Sequence, residues 1–380
     1  MKKLFYLGAL GWLLFEIANV YFIMPMPGGG QEIESIGLAY FLYRWRWWFR
    51  AGFGLLLLAG VKNAWQGARW LTLIGLLAAA AVAYVTNFQM SADTMFYQPG
   101  VVNMADARGN RVPGDKLVIG ISHNGEAKAY PIQFLGYHHQ VRDSIGGKPV
   151  MVTYCTVCRT GRVYEPVVDG RAEHFRLVGM DHFNAMFEDA TTKSWWRQAT
   201  GEAVAGPLKG ALLPEFPSMQ TALDQWIALY PNTLVMQGDP VFQTEYDSML
   251  TYENGKRNSK LTRRDTASWQ PKSWVVGLVL GNASKAYDWN DLQTRPVVHD
   301  TLGAQPVLLV LAPDHRGFAA FQRSAPDQMF RLQGDTLVCN GKSYFFNGKS
   351  VDPAQPDLVP VKAYQEYWHS WKTFHPDTRF

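Results

Sequence analysis

The sequence predicts a mainly β fold of the α+β class, in which two internally duplicated β-rich units follow about three transmembrane helices. Three observations predict it: an apolar N-terminal region, short strand-like runs separated by turn residues, and a repeat of the chain at an offset of 157 residues. A chain of 380 residues is long enough for two or three domains. The predicted domains are a membrane region at 1–90, a first β-rich repeat at 112–236, a linker at 237–269 and a second, degenerate repeat at 270–380.

The first ninety residues have the composition of membrane-spanning helices. Leu4–Met24 is almost continuously apolar and about as long as a bilayer requires, Trp70–Phe88 is a second such segment, and Trp47–Val61 is a third. A cleaved signal peptide is the alternative for the first segment, but its apolar run is long and no small-x-small site follows it. Glu16 and Asn19 would be costly in lipid, so we expect them to face another helix or a polar cavity.

The basic residues predict an orientation in the inner (plasma) membrane. One side would carry Lys2, Lys3, Lys62 and Arg69, and the positive-inside tendency makes that side cytoplasmic. Three spans then place residues 90–380 outside the cytoplasm, in the periplasm of a two-membrane cell. A second group of basic residues opposes this orientation, because it would lie at the outer surface and contact lipid headgroups. These residues are Arg44, Arg46 and Arg50.

The expected partners are therefore the lipid bilayer and a membrane protein. The net charge of +4 is small, and no basic run alternates with aromatic residues downstream of the membrane region. Nucleic-acid binding is excluded from the hypotheses on this ground.

Turn residues delimit the strands of the first repeat. Lys116–Ser122 and Glu126–Ile132 flank His123-Asn124-Gly125, and an Asn-Gly pair is typical of a two-residue hairpin. Pro149–Tyr154 and Gly161–Val168 are predicted strands on either side of a Cys-x-x-Cys motif. Two segments have a helical pattern instead: Met219–Tyr230 and Ala363–Phe374.

The sequence around the cysteines recurs later in the chain, but the cysteines themselves do not. When Val118–Arg159 is aligned with Val275–Arg316 without a gap, 12 of 42 positions are identical. Cys155 is then replaced by Ala312, and Cys158 by His315. A scaffold present twice with cysteines in one copy predicts that the pair serves chemistry rather than folding.

The Cys155–Cys158 pair permits three kinds of chemistry. A disulfide is allowed outside the cytoplasm, but closing so short a loop stabilises little. A thioredoxin-like redox motif opens a helix, whereas strands flank this pair. Cys-x-x-Cys followed by Gly161 resembles half of a metal-binding knuckle. Sulfur with imidazole suits copper or zinc, and copper(I) accepts a low coordination number. The further ligands would come from His138, His139, His182 or Asp189.

Several other residues favour structural interpretations. Arg159 follows Cys158, so the motif for covalent c-type haem is absent. Ser194 has no base at a triad-like spacing, which leaves a hydrolase unsupported. Trp195 is expected mainly to pack, and Cys339 to behave as a small buried apolar residue.

Several ordered motifs in residues 112–236 resemble the bacterial domain-of-unknown-function family 3179. They are Gly125-Glu-Ala-Lys-Ala-Tyr-Pro131, Tyr137-His138, Val141-Arg-Asp143, Pro149-Val-Met-Val-Thr-Tyr-Cys-Thr-Val-Cys158 and Thr192-Lys-Ser-Trp195 with Gln198 and Gly201. The positions that match the family pattern are His138, Cys155, Cys158, Asp189, Ser194, Trp195 and Gln198. The sequence departs from it at Tyr137, His139, Thr156 and Arg159. The family has no assigned activity, so the resemblance ranks residues without naming a reaction.

Three functional hypotheses follow, and they leave open whether the protein is an enzyme. The first is a membrane-anchored extracytoplasmic protein that binds copper or zinc through Cys155, Cys158 and His138. Its supporting residues would be Asp189, Ser194, Trp195 and Gln198. The second is a thiol-disulfide oxidoreductase in which Cys155 and Cys158 are catalytic. The third is an assembly factor or partner-binding module whose cysteines are structural.

Overall fold

The structure, a computed structural model, describes all 380 residues and is mixed α+β with many small sheets. The predicted mainly β character is therefore too narrow. Its α-helices are α1 Lys2–Tyr21, α2 Ile36–Arg44, α3 Arg46–Tyr84, α4 Ala92–Met95, α5 Ile132–His138, α6 Leu223–Leu229, α7 Gln243–Asp247, α8 Trp289–Thr294 and α9 Trp368–Phe374.

The strands are short and follow one another closely along the chain. They are β1 Met104–Ala105, β2 Leu117–His123, β3 Glu126–Pro131, β4 Gln140–Ile145, β5 Lys148–Cys155, β6 Thr160–Tyr164, β7 Val167–Val168, β8 Arg171–Ala172, β9 Phe175–Asp181, β10 Asn184–Asp189, β11 Trp195–Arg197, β12 Ala203–Ala205, β13 Met219–Ala222, β14 Leu234–Met236, β15 Trp274–Leu280, β16 Ala283–Asp288, β17 Val297–Leu302, β18 Gln305–Leu311, β19 Phe318–Gln322, β20 Arg331–Gln333, β21 Thr336–Cys339, β22 Lys342–Phe345 and β23 Lys362–Tyr367.

The chain divides into two compact units, which do not follow the chain order. The first unit comprises Met1–Tyr97, Glu173–Arg197 and Glu202–Leu212. The second comprises Gln98–Ala172, Gln198–Gly201 and Leu213–Phe380. Both segments predicted as repeats contribute to the second unit. The predicted boundaries 1–90, 112–236, 237–269 and 270–380 stay a prediction.

Two helices of the first unit are long and apolar enough to cross a membrane, and the predicted number of about three was too high. They are Lys2–Tyr21 and Arg46–Gln89, the latter ending in a π-helical turn at Val85–Gln89. The second and third predicted segments lie within this one helix. Its backbone leaves helical geometry at Ala68, with φ −160° and ψ 75°.

The break at Ala68 gives α3 two arms that both pack on α1. Gly60 in the first arm and Gly75 in the second both lie against Phe5. Lys2 of α1 lies against Gly67, at the end where the break is. A sequence window sees two apolar segments here, because it cannot distinguish a broken helix from two separate ones.

Glu16 faces α3, as its cost in lipid predicts. Its carboxylate accepts hydrogen bonds from Arg50 Nε at 2.7 Å and Arg50 Nη2 at 2.9 Å. Asn87 Nδ2, at the far end of α3, donates to Glu16 Oε2 at 2.9 Å. The Glu16 side chain is fully buried and that of Arg50 is 12% exposed. Both arms of α3 are therefore tied to the same point of α1.

The first unit also contains a four-stranded sheet in the order β12-β11-β10-β9. One apolar cluster joins this sheet to residues near the C-terminal end of α1, and Ile23 and Trp195 both belong to it. The backbone N–H of Met180 in β9 donates to the Ile23 carbonyl at 2.7 Å. The sheet is thus anchored to the end of α1 that carries Glu16.

Two segments of the second unit share part of their order of elements. In the first segment β2 pairs with β3 and with β13, and the sheet β4-β5-β6 follows. In the second segment β15 pairs with β16 and with β23, and the sheet β17-β18-β19 follows. The helices α5 and α8 begin at equivalent positions, as do α6 and α9.

The predicted hairpin is confirmed, and the two predicted helices are only half right. Asn124 and Gly125 have φ of 47° and 82°, the left-handed values that a two-residue hairpin needs. The first halves of Met219–Tyr230 and Ala363–Phe374 are instead strands, β13 and β23. Each pairs along its whole length with a central strand, and this pairing overrides local helical pattern.

Side-chain contacts also recur at equivalent positions. Lys128 and Tyr130 both donate to Asp143, at 2.9 and 2.8 Å. In the second segment Lys285 pairs with Asp300 at 2.8 Å, and the hydroxyl of Tyr287 donates to the same carboxylate at 2.9 Å. Trp226 Nε1 donates to Thr233, and Trp371 Nε1 donates to Thr378. Three identical pairs of the sequence alignment thus make the same contacts in both segments, namely Lys128/Lys285, Tyr130/Tyr287 and Asp143/Asp300.

Gly120 and Gly277 leave room for the buried tryptophans of the two segments. A Cβ atom at Gly120 would overlap the ring of Trp226, and one at Gly277 would overlap the ring of Trp371. We predict that Gly120→Ala and Gly277→Ala each lower the free energy of unfolding by about 1–3 kcal/mol, because neither buried ring can move away. Denaturant unfolding followed by tryptophan fluorescence measures the change.

Gly100→Ala is the matched control, since a Cβ there meets no atom within 4 Å. Equal stability of the Gly120→Ala variant and this control would show that the Trp226 packing is looser than the structure has it.

Candidate functional site

Cys155 and Cys158 lie in the turn between the paired strands β5 and β6. Cys155 ends β5 opposite Thr160, the first residue of β6. Arg159 closes the turn with a φ of 57°, a left-handed conformation. Both cysteines are fully buried thiols, with no disulfide between them. The strands that flank the motif are thus as predicted, and the two sulfurs lie within one tight turn.

Gln198 fixes the strands around this turn. Its Nε2 donates to Thr153 Oγ1 at 2.9 Å in β5 and to the Thr160 carbonyl at 3.0 Å in β6. The Tyr164 hydroxyl donates in turn to the Gln198 carbonyl at 2.7 Å. Gln198 therefore positions the two strands that flank the cysteines, and the supporting role predicted for it stays a prediction.

Lys272 and His369 cover the cysteine turn from the second segment. Lys272 Nζ donates to the carbonyl of Val157 at 2.6 Å, between the two cysteines, and lies 3.0 Å from His369 Nε2. Burial, followed by the nearby Lys272 charge, lowers the pKa of His369 to about 3. His369 is neutral at physiological pH, and its Nε2 also lies 3.2 Å from the Val157 carbonyl, so its tautomer decides whether it accepts a hydrogen bond from Lys272 or donates one to this carbonyl.

The thiol of Cys158 is held in its protonated form. Burial raises its pKa well above the usual value, and a hydrogen bond with the Cys155 thiol raises it further. A hydrogen bond from Ser370 and the charge of Lys272 act in the opposite direction. The pair thus shares a hydrogen bond between its sulfurs and faces one buried amine.

His138 is held by aromatic residues. It ends α5, is fully buried, and its Nε2 lies 2.7 Å from the hydroxyl of Tyr246. The rings of Tyr137 and Phe242 pack against it at 5.0 and 5.2 Å between centroids. The structure contains no group of three or more His, Cys, Asp and Glu side chains that could hold a metal ion. Cys155, Cys158 and His138 therefore do not form a three-ligand group.

The neighbouring His139 contributes its backbone. Its φ of 61° ends α5, and its carbonyl accepts a hydrogen bond from the Tyr154 N–H at 3.0 Å, next to Cys155. Burial lowers the pKa of His139 to about 4, so this side chain is neutral. His182, the other histidine considered from the sequence, lies in the first unit with its Nδ1 2.6 Å from Asp181.

Asp189, Ser194 and Trp195 belong to the first compact unit, whereas the cysteines, His138 and Gln198 belong to the second. Asp189 organises its own turn: its carboxylate accepts from the backbone N–H groups of Thr192 and Ser194 at 2.5 and 3.0 Å. It also accepts from Trp196 Nε1 at 2.9 Å. These bonds use the carboxylate oxygens fully, which gives Asp189 a structural role.

The Ser194 hydroxyl and the Trp195 indole of this segment also form hydrogen bonds. Ser194 Oγ accepts the N–H of Leu208 at 3.0 Å, and Trp195 Nε1 donates to Glu188 at 3.1 Å. The ring of Trp195 packs on Tyr40 and Tyr43, at 5.1 and 5.3 Å between centroids. Trp195 is thus a packing residue, as expected.

A polar cavity of about 280 Å³ begins next to the cysteine turn, at Arg159. The guanidinium of Arg159 lies 3.7 Å from the ring centroid of Trp274 and donates to Gln365 Oε1 at 2.9 Å. Arg316, which is aligned with Arg159 in the sequence repeat, lines the same cavity. The lining also contains Asp115, Glu253 and Asp314, so the cavity next to the turn has charges of both signs.

Sequence reasoning missed Lys272, His369 and Ser370. Lys272 precedes β15 and His369 lies in α9, both far from the cysteines along the chain. The backbone N–H of Tyr367 donates to the Cys158 carbonyl at 2.9 Å, and this bond is what brings α9 to the turn. No spacing or motif in the sequence carries that contact.

Residues 96–378 match the model of a family described as protein of unknown function, DUF3179. The chain belongs to this family. The match covers both segments of the second unit, including the segment without the Cys-x-x-Cys pair. Neither a curated protein nor a solved structure shows significant similarity to the chain. The DUF3179 resemblance predicted from the motifs is thus confirmed, and the function has to be argued from the site.

The buried amine of Lys272 predicts a pH dependence of stability. Burial, partly offset by the cysteines, lowers its pKa to about 8 from the ordinary 10.5. Between these two pH values the unfolded chain binds more protons than the folded protein, so the free energy of unfolding rises with pH. We predict that in Lys272→Met the free energy of unfolding lacks this rise with pH. Denaturant unfolding at several pH values between 7 and 11 measures the free energy.

The exposed Lys349→Met variant is the control and should follow the wild-type profile. A Lys272→Met profile parallel to that of the wild type would mean that Lys272 keeps its ordinary proton affinity in the folded protein.

Proposed function

We propose that the protein binds one soft transition-metal ion through the thiolates of Cys155 and Cys158. The observation that carries the proposal is the pair of buried sulfurs, hydrogen-bonded to each other in one turn and facing Lys272. Two sulfurs that share a proton lie close enough to share a metal ion instead. The pair occurs in one of two similar segments, so the fold does not need it.

The protonation of the thiols supports metal binding over nucleophilic chemistry. The raised pKa of Cys158 keeps its thiolate fraction low at neutral pH, and the thiolate is the attacking species in disulfide exchange. A metal ion displaces the thiol protons when it binds, so a high pKa makes binding pH-dependent without preventing it.

The positive charge of Lys272 favours a monovalent metal ion. Two thiolates and one copper(I) ion carry a net charge of −1, and a buried anion needs a compensating cation. Lys272 supplies that charge against both cysteines, and their negative charge would in turn favour its protonated form. Copper(I) therefore gives a neutral buried site.

The number of ligands also favours copper(I) over zinc. Structural zinc sites are almost always four-coordinate, and the structure contains no group of three or more His, Cys, Asp and Glu side chains that could hold a metal ion. Soft thiolates select copper(I), which accepts a lower coordination number. The proposal thus keeps Cys155 and Cys158 as ligands and gives His138, which pairs with Tyr246, no part in the metal site.

Thiol-disulfide exchange is the second candidate, because the hydrogen bond between the sulfurs also suits formation of a disulfide. That reaction would release two protons and two electrons to a partner disulfide. A partner-binding module with structural cysteines is the third candidate.

We predict one copper(I) per chain for the full-length protein purified without chelators and loaded under reducing conditions. Cys155→Ser and Cys158→Ser should each weaken binding by more than about 100-fold, since each removes one of two ligands. Competition with a copper(I) chelator measures the affinity, and X-ray absorption counts the sulfur ligands. Cys339→Ser, the third buried cysteine, is the matched control and should bind as the wild type does.

His138→Ala separates the proposal from the three-ligand site predicted from the sequence. Unchanged copper binding supports the two-thiolate site, whereas a loss comparable to that of Cys155→Ser would restore His138 as a ligand. Absence of bound metal together with a reversible Cys155–Cys158 disulfide would favour the second candidate. A metal-free protein that works with both cysteines replaced by serine would leave the third.

We further infer that the two long apolar helices anchor the chain in the plasma membrane, and that α3 crosses it twice, once on each side of the Ala68 break, so that residues 98–380 lie outside the cytoplasm. The contact of Lys2 with Gly67 supports this, because it puts the basic N-terminus and the Ala68 break at one end of the helices. The ion pair of Arg50 with Glu16 supports it too, since it removes one opposing arginine from the surface charge.

Reporter fusions test this orientation. Alkaline phosphatase fused after Phe380 should be active, because the enzyme folds only outside the cytoplasm, whereas a fusion after Gln66, beside the break, should be inactive. Enzyme activity in whole cells is the readout, and the reverse pattern would place the cysteines in the cytoplasm.

A further inference from the structure

A basic cavity of about 540 Å³ lies within the first unit, at the beginning of α3. It is lined by Tyr40, Tyr43, Arg44, Arg46, Trp47, Arg176, Glu188 and Lys193. Four of these residues are cations and one is a carboxylate. None of them belongs to the cysteine site, so the cavity requires its own explanation.

The charges of the cavity leave an excess of cations. Arg176 is neutralised from both sides, because its guanidinium donates to Glu188 Oε1 at 2.9 Å and to Asp93 Oδ2 at 3.0 Å. The other three cations of the lining, Arg44, Arg46 and Lys193, form no ion pair. An anion in the cavity would therefore meet three cations that no carboxylate compensates.

Two tyrosines position basic residues of this cavity. Arg46 Nη1 donates to the Tyr43 carbonyl at 2.7 Å, and its guanidinium lies 4.0 Å from the centre of the Tyr43 ring. The Tyr40 hydroxyl donates to the Lys193 carbonyl at 3.1 Å, which fixes the chain that carries the lysine. Arg46 and Lys193 are thus positioned by backbone contacts that leave cationic charge at the rim.

The position of the cavity indicates what kind of anion it meets. Arg46 and Trp47 lie one turn before Arg50 on α3, at the end of the apolar helices opposite the Ala68 break. Trp47 and Trp48 are 67% and 73% exposed. Exposed tryptophans beside arginines at the end of an apolar helix are typical of the headgroup layer of a bilayer.

We propose that this cavity binds the phosphate headgroup of an anionic phospholipid. The proposal rests on the membrane anchoring inferred above and is independent of the metal site. The phosphodiester would lie between Arg44 and Lys193, and the acyl chains would follow the apolar face of α3 past Trp47. Basic pockets at the ends of membrane helices recognise anionic headgroups by this combination of charge and apolar surface.

The experiment uses the full chain in a neutral detergent with short-chain lipids as probes. Dihexanoyl phosphatidylglycerol should bind and raise the melting temperature, whereas dihexanoyl phosphatidylcholine, with the same chains and no net charge, should not. Arg44→Gln and Lys193→Gln should each weaken phosphatidylglycerol binding about fivefold, and the double variant about 25-fold. Lys209→Gln, an exposed lysine of the same unit, is the matched control and should bind as the wild type does.

Binding of inorganic phosphate distinguishes a lipid headgroup from a free anion as the source of the phosphate that the cavity binds. Phosphate that binds as tightly as phosphatidylglycerol would overturn the lipid proposal and make the cavity a site for a free anion. Equal binding of both lipids, or equal losses in Lys193→Gln and Lys209→Gln, would overturn it as non-specific adsorption. Copper stoichiometry in the Arg44→Gln/Lys193→Gln variant should be unchanged, so failure here is distinguishable from failure of the metal site.

Discussion

The buried ion pair of Arg162 and Glu366 is the constraint on which the cysteine site depends. Arg162 Nη2 lies 2.5 Å from Glu366 Oε1, and the two side chains are 2% and 0% exposed. Burying two charges is costly and is compensated only when both are present and their remaining hydrogen bonds are satisfied. Ser370 donates to the other carboxylate oxygen at 2.9 Å, and the Tyr364 ring lies under the guanidinium at 3.3 Å. β6 is thereby fixed to β23.

This pairing determines what surrounds the thiols. Because β6 follows the cysteine turn directly, fixing it against β23 brings Tyr367 to the Cys158 carbonyl and Lys272 to the Val157 carbonyl. The segment without the Cys-x-x-Cys pair therefore supplies the cation and the backbone contacts of the segment that has the pair. The sequence alignment predicted that the pair belongs to one segment alone; in the structure the other segment forms one wall of the site.

Local features were predictable from the sequence, and tertiary contacts were not. Asn124-Gly125 imposes its hairpin through its own φ values, and the strands around the cysteines follow from alternation and turn residues. The family pattern ranked Gln198 and Asp189 together, yet only Gln198 hydrogen-bonds around the cysteine turn, while Asp189 satisfies a turn of its own. Lys272 had no signal, because its hydrogen bond with Val157 joins residues that are 115 positions apart in the chain. The break at Ala68 was likewise hidden, since its flanking residues continue an apolar helical pattern.

The Arg162–Glu366 pair also bears on how this protein can be divided. Cutting the chain between the two similar segments would leave an unpaired guanidinium in one fragment and an unpaired carboxylate in the other. The fragment with β6 would have to bury an unpaired guanidinium, and the fragment with β23 would have to bury an unpaired carboxylate. The two segments are therefore not interchangeable modules, despite their matching order of strands.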